Sequence, residues 1–301
     1  MSLFILVGGT PVPIFGVAAL GAAVGYVAGM FGIGGGFLMT PLLVVIFGVP
    51  LPIAVGTGLC QMIGTALVSN LRHRKLGQGE RRFDALLLPG CLLGVELGAR
   101  TLSFLSSAGS LRVGVHSIAW VALIVEGSYA LLLLFVAWNY WRHGQGGKRD
   151  VLNELRPGPL SRIRFGPTVD LPAVGLRSVS ALLIANIGLA LGFASGLLGI
   201  GGGVALNPVL IYGYGLPIRQ AVGTGIVVLF ATAVVGTFVH AARGHVQLGV
   251  AAVMLVGGAV SAQFGALASR RMSGGTLGRV HALVILLAVA AVLWDLFSEV
   301  H

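Results

Sequence analysis

The sequence predicts an all-α polytopic membrane protein made of two homologous halves, each with four to five helical segments and a glycine-broken helix near mid-membrane. Three observations lead there. Of 301 residues, 56% are hydrophobic and only 9% charged, with a mean hydropathy of +0.97, too little polar surface to cover a water-soluble globule of this size. Residues 1–71 contain no Asp, Glu, Lys or Arg, and further charge-free runs cover 178–218, 220–242, 244–269 and 280–294; all but the last and shortest hold at least one span of about 20 residues, and that one holds most of a span. Finally, residues 29–58 recur at 196–225 with a constant offset of 167 and no gap.

The repeat is densest at its glycines. Gly29 to Pro41 and Gly196 to Pro208 share seven of thirteen residues, and Val49 to Gly58 matches Leu216 to Gly225 in Pro, Ala, Val, Gly, Thr and Gly. Taking the elements in order, the first half divides into apolar segments at 12–30, 36–47, 52–71, 83–104 and 112–140, and the second at 177–195, 203–214, 218–241, 246–268 and 280–297. The pieces after the glycines run to about 12 residues, or roughly 18 Å, and do not cross a core of about 30 Å alone. They read as half-helices or re-entrant segments. The domains follow as a first transmembrane repeat over 1–140, a basic linker over 141–177 and a second repeat over 178–301. The linker carries seven arginines and lysines and four prolines and reads as an extended cytoplasmic connector.

A net charge of +10 would suggest nucleic acid in a soluble protein. Here the basic residues crowd short loops, where they orient the chain by the positive-inside rule, and no nucleic-acid partner is expected. Arg72, Arg74, Lys75, Arg81 and Arg82 fill one loop whose counterpart keeps only Arg243. The bias reverses at the next pair, with Arg100 and Arg112 against Arg270, Arg271 and Arg279. Matching loops that alternate in basic content are expected of inverted repeats. Cys60 and Cys91 lack metal or redox spacing, no His/Cys/Asp/Glu group stands at ligand spacing, and neither cofactor, metal nor catalysis is expected. The apolar N-terminus lacks a basic start and runs straight into the repeat, against a cleaved signal peptide.

Backbone inside a bilayer must be hydrogen-bonded unless it lines a polar cavity. Unwound Gly34-Gly35-Gly36 and Gly201-Gly202-Gly203 would therefore face protein or ligand. A half-helix starting there presents unsatisfied N–H donors and a partial positive charge to a compact anion; the same glycines would also permit tight helix crossing. Beside them stand Thr40 and Asn207, then Thr57 and Thr224, as register mates. They are placed either to donate to an oxyanion or to satisfy carbonyls freed by Pro41, Pro208, Pro50 and Pro217. Gln61, opposite Val228 in the repeat, is a candidate for breaking the symmetry of the site.

His73 and His240 also fall at the 167 offset, as a proton or anion gate or as interfacial anchors. Glu96 has Arg100 four residues on, an ordinary helical ion pair. Glu126, without a local cation, is the better proton-coupling candidate. Trp120, Trp138, Trp141 and Trp294 have the character of a membrane-interface belt.

In the paired G-x-G-G-G segments with a following Pro, Gly32 to Pro41 and Gly199 to Pro208, and the paired A-V-G-T at Ala54 to Thr57 and Ala221 to Thr224, the chain resembles the TauE/SafE-type sulfite exporter family, also called the toluenesulfonate uptake permeases. The resemblance covers nearly the whole chain apart from the linker. It implies a secondary transporter in the inner (cell) membrane of a bacterium, moving a sulfur-containing anion such as sulfite, sulfoacetate or another organosulfonate, or thiosulfate, with proton coupling. A passive anion channel is the alternative reading. A cation transporter would want buried carboxylates near both breaks, and there are none. A homodimer is left open by the sequence.

Overall fold

The structure, a computed structural model, describes residues 4–31, 36–75, 79–113, 116–144, 157–270, 272 and 274–298. Among them are ten α-helices: α1 Ile14–Phe31, α2 Gly36–Phe47, α3 Leu51–Lys75, α4 Arg81–Ser107, α5 Trp120–Gly144, α6 Ala181–Leu198, α7 Gly203–Pro208, α8 Ile218–Ala241, α9 Leu248–Arg270 and α10 Gly274–Ser298. Among the described residues, six helices are long and apolar enough to cross a membrane, and Ile14–Met30, Gly36–Phe47 and Leu283–Trp294 are shorter apolar pieces. The chain is an all-α multi-pass membrane protein.

Element bounds keep the register of the sequence. Adding 167 to α1 gives α6 residue for residue, and adding it to α2 gives 203–214, which is α7 continued by a π-helical turn, Val209–Tyr214. The register ends after α4. A hairpin of β3 (Ser110–Val113) and β4 (His116–Ala119) separates α4 from α5, whereas three residues separate α9 from α10. The expected span 112–140 therefore starts as strand, and its helix begins only at Trp120.

Two other hairpins precede the first helix of each half. Strands β1 (Phe4–Val7) and β2 (Thr10–Pro13) are joined by Gly8 and Gly9, both at positive φ, as a tight two-residue hairpin turn requires. Strands β5 (Thr168–Leu171) and β6 (Leu176–Ser180) pair likewise in front of α6. The linker is thus not extended throughout. From Pro157 it folds back, and Leu171, Val174, Leu176 and Val179 bury against Phe83, Leu87 and Ile184. Gly158 donates its N–H to the Tyr214 carbonyl at 3.2 Å, an approach that an added Cβ, 2.2 Å from the Gly213 oxygen, would block.

The two halves hold each other through glycine seams. Helix α1 runs beside α9 in the same direction, with Gly21 on Met254, Gly25 on Gly258 and Gly29 on Ala262. Helices α6 and α4 repeat this 167 residues along, with Gly188 on Leu87, Gly192 on Cys91 and Gly196 on Val95. A Cβ at Gly29 would lie 2.0 Å from the Ala262 carbonyl oxygen, so the backbones themselves touch. In lipid, where no hydrophobic drive pulls apolar helices together, such close packing is what holds them.

Helix α3 also runs along α9, from Gly56 at His245 to Gly64 at Leu255, and α8 runs along α4, from Thr224 at Glu80 to Arg243 at Glu96. Helices α5 and α10 pack on each other and cover α2 and α7. Trp120 and Trp138 bracket the α5 span, and Trp138 and Trp294 are exposed, as interface anchors would be.

Candidate functional site

Pro41 sits inside α2. Having no N–H, it leaves the carbonyl four residues back, that of Phe37, without its helical donor. The Tyr129 hydroxyl from α5 donates to that oxygen. Pro208 in α7 poses the same problem, and there the following turn widens to a π-helix. Thr40, one candidate for satisfying a freed carbonyl, is released from that duty.

Thr40 Oγ1 is buried, lies 3.4 Å from where a Cβ on Gly58 would stand and 2.6 Å from the equivalent point on Gly199, and makes no hydrogen bond among the described residues. Its register mate Asn207 behaves the same way. Asn207 Oδ1 is buried, faces Gly225 at 2.4 Å from its Cβ position, and is also unpaired. An unsatisfied buried polar atom costs about 1–3 kcal/mol. One such atom stands at each half-helix, at matching positions of the repeat.

Gly201 and Gly202 adopt left-handed φ of +67° and +75°, the conformation that asks for glycine. The Gly201 carbonyl accepts from Thr232 Oγ1 at 3.0 Å. Gly36 and Gly203 open α2 and α7. Gly34 and Gly35 lie outside the described residues. Met62 of α3 connects the two breaks: its Sδ lies 1.9 Å from the Cβ position of Gly36 and 2.9 Å from that of Gly201.

The other candidates are distributed differently. Thr57 Oγ1 accepts from the Gln247 N–H at 3.1 Å, and Thr224 Oγ1 accepts from the Glu80 N–H at 3.2 Å. The pairs Thr57/Thr224 and Glu80/Gln247 both obey the 167 register, so each A-V-G-T segment receives the α3–α4 or α8–α9 loop of the opposite half. Gly56 makes room, with a Cβ position 2.2 Å from the His245 carbonyl oxygen, and in the other clasp the Cβ position of Gly79 lies 3.2 Å from the Gly223 carbonyl carbon. Gly79 N–H adds a 2.8 Å bond to Gln220 Oε1. These threonines are engaged as loop clasps. Gln61 turns to the α1–α9 seam, its Nε2 3.3 Å from the Cβ position of Gly258.

His240 is fully buried, with Nε2 3.0 Å from the Gly196 carbonyl oxygen and its ring 5.8 Å from that of His245; burial removes the interfacial-anchor reading. The side chain of His73 lies outside the described residues. In the α8–α9 loop, burial, and then the Arg243 guanidinium, hold the His245 imidazole below its ordinary pKa, so it stays neutral at pH 7. Glu96 makes the expected bond to Arg100, at 2.7 Å, and a second to Arg243 at 3.0 Å across the halves. Glu126 is buried and lines a cavity of about 10 Å³ with Thr40, Pro41 and Tyr129, room for one water.

The residues that sequence reasoning missed are Met62, Tyr129 and Thr232. Thr232 pairs with Thr65 at the same offset, a signal present in the sequence; Tyr129 reaches its partner across 92 residues and carries no local sign.

A bundle of long apolar helices defines a multi-pass membrane protein. Residues 17–292 match the sulfite exporter TauE/SafE family, and the chain belongs to that family. It is similar to a "Probable membrane transporter protein" of Xylella fastidiosa (strain Temecula1), with 26% identity over 91% of this chain and 92% of the relative. It is also similar to the "Probable membrane transporter protein YunE" of Bacillus subtilis (strain 168), with 24% identity over 93% and 97%. Family and relatives set the chain among membrane transporters. No solved structure matches it.

Proposed function

We propose that the chain is a secondary transporter of a sulfur-containing anion, sulfite, sulfoacetate or another organosulfonate, or thiosulfate, in a bacterial inner membrane, with the anion held between the two glycine breaks. The observation that carries this is the register pair of unpaired buried polar atoms, Thr40 Oγ1 and Asn207 Oδ1, each beside a break. The Thr40 hydroxyl can donate to an oxyanion without the cost of burying a full charge, and so can Asn207 through Nδ2, while Oδ1 itself only accepts. The family supplies the sulfur. The test is thermal stabilisation of the purified protein by sulfite, thiosulfate, sulfoacetate, taurine, sulfate and acetate, with sodium and potassium salts at matched ionic strength. A specific ligand at about 100 times its Kd adds roughly 2.7 kcal/mol. A rise confined to one or two sulfur oxyanions is expected; a response to cations alone would overturn the reading.

The halves are proposed to be inverted repeats working by alternating access. Helices α1, α3 and α9 run together, as do α4, α6 and α8, and late α8 meets early α3, Gly236 at Leu59; this supports matching helices pointing in opposite senses. The loop clasps at Thr57 and Thr224 then lie at opposite membrane faces, and both are closed. Each hydrogen bond is worth about 1 kcal/mol, or about fivefold in an opening equilibrium. Thr57→Val and Thr224→Val should therefore bias access to opposite sides, as read by labelling of intact and inverted vesicles. A bias to the same side by both variants excludes the two-gate arrangement.

Proton coupling is assigned to Glu126, which shares its cavity with Thr40. Glu126→Gln should flatten the pH dependence of uptake while leaving anion affinity within about twofold, under 0.5 kcal/mol. An unaltered pH profile removes Glu126 from the coupling.

A further inference from the structure

We propose that Met62 is the plug of the translocation path, the side chain that fills the gap between the two glycine breaks in this closed state and that an entering ligand must push aside. The inference rests on the reading that the breaks hold the ligand. Met62 is fully buried on α3, and its thioether is wedged against both Gly36 and Gly201. Those glycines belong to different halves, so one side chain occupies the space where the halves meet. A Cβ on Gly36 would fall 1.9 Å from Sδ and 2.5 Å from Cε. The glycine is therefore what admits the methionine.

On the far side the register mate Leu229 closes in, its Cδ1 2.3 Å from the Cβ position of Gly201. The two mates are chemically unequal. Methionine has three rotatable side-chain bonds and no branch, so it can swing out and re-pack at little cost, whereas leucine is stiffer. The movable member faces both breaks. The polar atoms left unpaired, Thr40 Oγ1 against Gly199 and Asn207 Oδ1 against Gly225, belong to the half-helices that those breaks introduce. Thr40 also stands against Gly58, one turn along α3 from Met62, and Gly225 is one turn along α8 from Leu229, so moving one apolar group would open a space one helical turn from these polar groups. Plug size then sets how bulky a ligand is admitted.

The test uses Met62→Cys in the full chain with Cys60 and Cys91 changed to alanine, in membrane vesicles. Two methanethiosulfonate reagents are compared, one bearing a sulfonate and one a quaternary ammonium. Met254→Cys, fully buried at the α1–α9 seam, serves as the core control. The sulfonate reagent is expected to modify Met62→Cys at least 100-fold faster than the control and at least 10-fold faster than the cationic reagent does. Modification no faster than the control overturns the plug, even if sulfur oxyanions still stabilise the protein. Fast modification without preference for the sulfonate leaves the plug standing and overturns the anion reading. Should Met62→Cys fail to fold, Leu229→Cys reports on the same gap with the same outcomes.

Discussion

Gly192→Leu is expected to leave no folded protein. At the α4–α6 seam a Cβ on Gly192 would lie 2.0 Å from the Cys91 carbonyl oxygen and 2.7 Å from its Cα. These are backbone atoms that no rotamer change can move, so the helices must part, and Gly188 and Gly196 lose their contacts on the same seam. Gly192→Ala isolates the first increment. Overpacking costs about 1–3 kcal/mol in a yielding core, and a backbone obstacle puts this site at about 3 kcal/mol or more. The gain in helix propensity, at most about 1 kcal/mol, does not offset it. Gly25→Ala, its register mate against Gly258, should behave alike. Gly127→Ala on α5, where nothing lies within 4 Å of the new methyl, should instead stabilise by about 0.5–1 kcal/mol. Denaturant unfolding in micelles measures all three, and a Gly192→Ala variant as stable as the parent would mean that the seam is not close-packed.

Tyr129→Phe should destabilise by about 1–3 kcal/mol, because the buried Phe37 carbonyl then loses the Tyr129 donor. The cause can be separated from lost packing by restoring the missing N–H. Pro41→Ala gives residue 41 a donor for the Phe37 oxygen, so in that background removing the Tyr129 hydroxyl should cost less than about 0.5 kcal/mol. The double-mutant cycle thus predicts a coupling of about 1 kcal/mol or more. Additive effects would show that Tyr129 does not substitute for the proline.

Much of the architecture was legible because the repeat kept its register. The half-helices expected at 36–47 and 203–214 have those bounds in the structure, since a charge-free run between a glycine cluster and a Gly-x-Pro turn leaves little freedom. The hairpins were not foreseen. Val7-Gly8-Gly9-Thr10 carries a turn signal, but in a uniformly apolar stretch neither a period of 2 nor one of 3.6 stands out. The charge-free run was read as leading directly into the first span.

At the site, Thr57 and Thr224 looked like ligand groups because they stand between glycines near the breaks. Their hydroxyl oxygens accept from loops 190 and 144 residues away, a distance that no local pattern reveals. Thr40 and Asn207 looked equivalent to them in the sequence, and only the tertiary arrangement separates engaged hydroxyls from unpaired polar atoms. His240, placed near the end of a span, lies at an interior crossing because α8 is covered by α6 and by its own following loop.

The exchange of partners across the seams has a consequence for biosynthesis. The first helix finds its glycine-to-backbone mate not in its own half but in α9, which begins about 220 residues later; at roughly 5–20 residues per second, that is a delay of about 10–40 s during translation. Throughout that time the α1 face carrying Gly21, Gly25 and Gly29 has no mate, and whatever shields it, lipid or an insertion chaperone, must let go when α9 arrives. A ribosome that stops after the first half would leave an orphan in the bilayer, and the second half supplied as a separate polypeptide should rescue it.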